Sequence, residues 1–238
     1  MKNNNNFFNT IQKKIILNKK VFKPNLTTKL SFETALTEIK YNSKILDLGC
    51  GSGILGILLK IKKKNLKLFA SDIDQRAIDV AKKNFELNKI SAELRLSNLF
   101  SAWENFKFDY ILNDVSGISS IIAKKSPWFS NIVPCDTGTD GTKLSTKIIS
   151  NSRFFLKKNG ILQVPLISLS DVDKTISYAK KRFKLVKIKK SVDWFLPSDL
   201  NKLKKEMKIL KKKKIISFKE KFGKLICNTS IMICKNLK

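Results

Sequence analysis

KILDLGCGSG, residues 44–53, decides the fold. Residues 44–49 read as a strand, and a helix is predicted over 53–62. Between them stand Gly49, Gly51 and Gly53, with the acidic Asp47 just before. Glycines at this spacing let backbone approach a ligand closely, and the N–H groups at the start of the following helix are free to receive one. The stretch is therefore predicted to be a ligand-binding turn between a strand and a helix.

Outward from it, strands and helices alternate. Strands are predicted over 66–71, 92–97, 108–113, 161–166 and 183–188. Helices are predicted over 27–40, 75–88, 141–156 and 171–182, that over 141–156 being ended by Lys158-Asn159-Gly160. Such alternation implies βαβ units and a doubly wound, mostly parallel α/β sheet. The C-terminal part differs, with a basic helix over 198–215 containing Lys211 to Lys214, then a strand over 228–234. The expected organisation is a leader over 1–20, a core over 21–190, and a basic helix and last strand over 191–238 completing the same domain.

Composition narrows the chemistry. The 238 residues carry a net charge of +29, but only four of the 48 basic residues are arginines. Two readings fit: a polyanion partner such as RNA, or a lysine-rich surface reflecting an AT-rich genome. Bidentate phosphate readers favour Arg, which speaks for the second. There is no histidine, which excludes Ser-His-Asp and Cys-His catalysis and His-liganded metals. Cys50, Cys135, Cys227 and Cys234 show no CxxC spacing, so no metal site is expected, and Cys135 lacks a recognisable activating base. No window reaches the roughly 18 apolar residues of a membrane helix. A cytoplasmic protein is expected.

Gly51, Gly53 and Gly56 also satisfy the G-x-G-x-x-G spacing of nicotinamide dinucleotide sites, but in a displaced frame, since Asp47 and Gly49 come first. Asp47-x-Gly49-x-Gly51-x-Gly53 after a strand resembles motif I of the class I S-adenosylmethionine-dependent methyltransferases. The resemblance implies a Rossmann-like, seven-stranded methyltransferase sheet with S-adenosyl-L-methionine as cofactor. It implies that Asp47, Gly49, Cys50, Gly51 and Gly53 form the cofactor loop. Asp72, 19 residues after Gly53 in FASDID, then holds the ribose hydroxyls, with Ile73 on the adenine face. A helix N-cap is the other reading of Asp72, although Asp74 caps better. In SNLF, Asn98 and Leu99 occupy the place where the family carries an acid for the adenine amino group.

FDYILNDVSG, 108–117, falls at motif IV, where a subgroup that methylates amino nitrogens carries Asn-Pro-Pro-Tyr. That subgroup includes the release-factor glutamine methyltransferases and RNA base methyltransferases. VFKPNLTTKL (21–30) and TGTDGTKL (137–144) resemble its flanking segments, and the resemblance implies that Thr28 is a further cofactor-binding residue. The resemblance implies that Asn113 orients an acceptor nitrogen. Asp114, Val115 and Ser116 replace Pro-Pro-Tyr, so two prolines and an aromatic platform are lost. Asp114 is then a candidate to accept a proton or stabilise developing positive charge, or else an ordinary turn or cap residue. Trp128 and Phe129, in the long segment 123–142, are candidates either for the missing stacking surface or for hydrophobic anchoring of the loop. Trp194 and Phe195 either line the same crevice or serve only as core, and the core reading is preferred. The expected reaction is methylation of a nitrogen in RNA or in a protein of the translation machinery. The alternatives are a small-molecule methyltransferase and a non-catalytic RNA- or cofactor-binding module.

Overall fold

The computed structural model describes residues 15–18, 21–115, 117–126 and 136–238. The leader, apart from 15–18, lies outside these residues, as do Ser116, Trp128, Phe129 and Cys135. Helix α1, Leu26–Glu38, begins with a reciprocal cap. Asn25 Oδ1 accepts the N–H groups of Thr27 and Thr28 at 2.8 and 3.4 Å, while Thr28 Oγ1 accepts the Asn25 N–H at 3.4 Å. Strand β1, Lys44–Leu48, leads into α2, Ile54–Lys62, and β2, Lys67–Asp72, into α3, Gln75–Leu87. Asp74 caps α3, its side chain accepting the Arg76 N–H at 3.0 Å. Then come β3 (Ala92–Leu96), β4 (Phe108–Asn113), the short α4 (Ser120–Ala123), α5 (Lys143–Asn151) and β5 (Leu156–Ile167). The chain ends with α6 (Val172–Lys180), β6 (Phe183–Phe195), α7 (Lys204–Lys212), β7 (Lys219–Lys221) and β8 (Lys224–Leu237).

The sheet runs β3-β2-β1-β4-β5-β8-β6. The pairs from β3 to β5 are parallel, and β8 is antiparallel to both its neighbours. The expected seven-stranded, mostly parallel sheet is thus present, extended by an eighth strand, β7, which forms a hairpin with β8. Alternation along the strands fills both faces. Ile45, Tyr110 and Leu112 pack with Phe32, Leu55 and Phe85 on the side of α1 to α3. Leu46 and Ile111 pack with Trp103, Ile148 and Ala179 on the side of α5 and α6. Full burial of one such side chain contributes about 1.5–3 kcal/mol. Trp103 is fully buried and its Nε1–H donates to Ser71 Oγ at 3.0 Å, so its one polar atom is satisfied.

Three expectations need correction. Lys158-Asn159-Gly160 does not stop a helix; α5 ends at Asn151, and these residues lie in β5. Two positions of β4, Phe108 and Tyr110, pair with Leu156 and Ile161, so the intervening β5 residues bulge out. A bulge and a helix stop share the same local residues. The strand expected over 183–188 continues to Phe195, because an exposed edge strand tolerates the lysines that hid its pattern. The basic helix is α-helical only over Lys204–Lys212, with a 3-10 turn at Ser198–Leu203.

A candidate cofactor and acceptor crevice

The strand order reverses at β1, with β2 on one side and β4 on the other. In an open α/β sheet, the crevice beyond the strand C-termini at this point is where ligands bind. A crevice of about 650 Å3 opens there. The register Leu48↔Ser71 and Leu48↔Asn113 sets the tips of the three strands side by side.

The glycine loop is tied to β2. The N–H groups of Gly49 and Cys50 both donate to Ser71 O, at 2.8 and 3.0 Å. Gly49, Gly51 and Gly53 have φ of +81°, +53° and +76°, a backbone region costly for residues with a Cβ. At Gly49 a Cβ would also meet Val115 Cγ2 at 2.8 Å. This loop and the β4 tip therefore fit only without a side chain at 49. Gly49, Cys50 and Gly51 line the crevice; Gly53 sits behind them as the N-cap of α2.

Asp72 lines the same wall. Its Oδ2 accepts the Gly51 N–H at 2.9 Å and its Oδ1 the Asp74 N–H at 3.0 Å. The carboxylate thus fixes the glycine loop and keeps lone pairs for a ligand. Burial raises its pKa, opposed by those N–H bonds. Ile73, 53% exposed, presents a bare apolar surface at the crevice, beside Asn98 and Leu99. Asp74, not Asp72, caps α3.

The β4 tip is less simple. Asn113 is buried and is not among the crevice-lining residues. Its Oδ1 accepts the Val115 N–H at 3.0 Å, while its Nδ2 has no hydrogen-bond partner among the described residues. Asp114 does line the crevice. Its N–H donates to Leu48 O at 3.1 Å, and Thr28 Oγ1 donates to its Oδ2 at 3.4 Å. It does not cap α4, whose N-cap is Ser119. Burial first, and then the charge of Asp47, push its pKa up to about 8. Asp47 is fully buried below the first turn of α2, outside the crevice lining. Neither of its oxygens makes a hydrogen bond of ordinary geometry among the described residues. Burial, and to a lesser extent Asp72, raise it to about 7. Cys50 lines the crevice, but burial holds its thiol far from ionisation.

Beyond Asp114 the wall comes from the far half of the sheet. Trp194 and Phe195, expected in the core, line the crevice, and Phe195 is 55% exposed. Trp194 is anchored through Nε1–H to Thr229 Oγ1 at 2.9 Å. Lys143 and Lys147 of α5 also line the crevice. Sequence reasoning also missed Asn25, whose place beside Thr28 follows from the α1 cap.

These residues fit S-adenosylmethionine on their own chemistry. A carboxylate with spare lone pairs stands between the glycine loop and an exposed isoleucine, as a ribose and an adenine require. Asp114, a buried carboxyl in the same crevice, adds an acidic group suited to a cationic ligand. Among the described residues no group of three or more His, Cys, Asp or Glu side chains could hold a metal, and no helix is long and apolar enough to cross a membrane.

Residues 26–114 match the methyltransferase small domain. A putative protein N5-glutamine methyltransferase of Methanocaldococcus jannaschii is 31% identical over 147 residues, covering 61% of this chain and 72% of the relative. The ribosomal protein L11 methyltransferase of Dictyoglomus turgidum is 30% identical over 170 residues, which is 71% of this chain and 48% of the relative. The chain spans about half the length of the L11 methyltransferases it matches. In fold, it resembles a crystal structure of a methyltransferase from Pyrococcus furiosus, with a TM-score of 0.57, 14% identity, and coverage of 95% of this chain and 90% of the other. Motif, sheet order, crevice and relatives agree, and the chain belongs to the methyltransferase small domain family of class I S-adenosylmethionine-dependent methyltransferases.

Proposed function

We propose that the protein transfers a methyl group from S-adenosylmethionine to a nitrogen in an RNA or in a protein of the translation machinery. The observation that carries this reading is the placement of Asp72 and Asp114 in one crevice, on either side of the glycine loop. The names of the relatives, which include methyltransferases of ribosomal protein L11 and of ribosomal RNA, support the translation machinery as the source of substrates.

The cofactor supplies an electrophilic methyl carried on a sulfonium. Asp72 is suited to accept both ribose hydroxyls, Ile73 to cover the adenine, and Asn98 and Leu99 to border its edge. Gly49, Cys50 and Gly51 leave room for the methionine part, while Gly53 and Asp47 support the loop from behind. An acceptor nitrogen must lose a proton as it is alkylated. Asp114 Oδ2, which accepts from Thr28 Oγ1 at 3.4 Å, is suited to receive it. A carboxyl with a pKa near 8 is well matched to that task near neutral pH. Asn113, whose oxygen is engaged by Val115, is assigned to positioning the β4 tip.

The test is transfer of labelled methyl from S-adenosylmethionine into a lysate from cells lacking the enzyme, with separate nuclease and protease digestion. Label released by nuclease or by protease identifies RNA or protein. Label confined to a small soluble product would contradict the macromolecular reading.

A further inference from the structure

The β7–β8 hairpin ends in a loop with no part in the crevice chemistry. Its two loop residues, Phe222 and Gly223, have φ of +51° and +69°. Two-residue hairpins with positive φ at both positions favour Asn-Gly or Asp-Gly, since an L side chain is disfavoured there. Phenylalanine is a poor choice for this turn, and it does not serve the core, because Phe222 is 85% exposed. A strained, solvent-facing aromatic calls for a reason outside folding.

Its surroundings supply one. In the hairpin register Lys219 pairs with Ile226 and Lys221 with Lys224, while Phe195 of β6 also pairs with Ile226. Side chains on one face alternate along each strand, so Lys219, Lys221, Lys224 and Phe195 share a face. Lys221 Nζ lies 5.1 Å from the Phe222 ring centroid and Lys224 Nζ 5.8 Å from that of Phe195. Phe195 lines the crevice. A strip of two exposed rings, each accompanied by a lysine, thus runs from the crevice to the hairpin tip. Residues 196–224 hold eleven lysines and three acids. Glu206 and Glu220, two of these acids, already pair with Lys125 and Lys204.

We propose that this strip binds single-stranded RNA, with Phe222 and Phe195 stacking unpaired bases and Lys221 and Lys224 meeting phosphates, so that the strand is led to the crevice. Alternating aromatic platforms and cations are what a flexible polyanion with π-faces requires. The inference rests on the methyl-transfer reading and selects RNA as the partner of that site.

The experiment measures binding of the full chain to a fluorescent single-stranded RNA of about 12 nucleotides, across a salt series. Phe222→Asn removes the ring but suits the turn, so the melting temperature should hold or rise. RNA affinity should fall about tenfold, in the range of one lost base stack, and Phe222→Trp should restore it. Lys221→Gln with Lys224→Gln should lower the salt slope by about 0.7 for each phosphate that is no longer neutralised. Unchanged affinity in Phe222→Asn overturns the proposal. So does equal Phe222-dependent binding to polyglutamate or to anionic phosphatidylserine vesicles, or a dimer that Phe222→Asn dissolves. Phe222-dependent RNA binding in a protein that ignores S-adenosylmethionine would uphold this surface and overturn the methyl-transfer reading instead.

Discussion

From β3 to β4, each part of the crevice comes from a short pattern whose geometry is local. The glycine loop, Asp72, Ile73 and Asn98 all lie within a few residues of a strand end. From β5 to β6, the crevice wall is built by pairing over long sequence separations: Trp194 with Thr229, and Phe195 with Ile226. The first half holds groups suited to a cofactor of fixed shape. The second half carries exposed rings and lysines. The boundary between them is the β4 tip, where Val115 leaves no room for a side chain at Gly49 and Thr28 reaches Asp114.

The sharpest way to break this division is at Asp114. Asp114→Asn keeps the shape and removes the proton acceptor. Turnover should fall roughly 100-fold, about 2.7 kcal/mol in the barrier, while S-adenosylmethionine affinity stays nearly constant. Equal losses of both would mean that the β4 tip belongs to the cofactor half.

A smaller effect tests whether the buried carboxyls are costly to the fold. Burial raises Asp114 from 3.8 to about 8 and Asp47 from 3.8 to about 7. An acid whose pKa rises on folding favours the folded state while protonated. Its contribution is complete below about pH 4 and is lost as pH climbs through about 7 to 8. In the cofactor-free protein, Asp114→Asn should therefore match the wild type in melting temperature near pH 4. It should exceed it by several degrees or more at about pH 8. A gap independent of pH would show that Asp114 titrates as an ordinary surface carboxyl.

The sequence made the elements from β1 to β4 legible almost to the residue. The ends of β1 to β4 and of α1 to α3 fall within two residues of expectation, because caps, glycines and apolar runs are local signals. The far half was harder to read. Lys158-Asn159-Gly160 means one thing after a helix and another in a bulged strand, and only the pairing with Phe108 and Tyr110 decides between them. Phe195 looked like core because its exposure depends on β8 and the hairpin. Asn113 carried a motif's expected role, yet its oxygen is turned into the strand-end bend by Val115, a bond that no spacing reveals.

The central claim, that the switch-point crevice holds S-adenosylmethionine through Asp72, is tested most directly by isothermal titration calorimetry. The wild type should bind S-adenosylmethionine one to one in the micromolar range, about −8 kcal/mol. Asp72→Ala should weaken binding by roughly 1–3 kcal/mol, the cost of leaving the ribose hydroxyls unpaired. Tight NADH binding with no heat from S-adenosylmethionine, or an Asp72→Ala variant that binds S-adenosylmethionine as well as the wild type, would contradict the account.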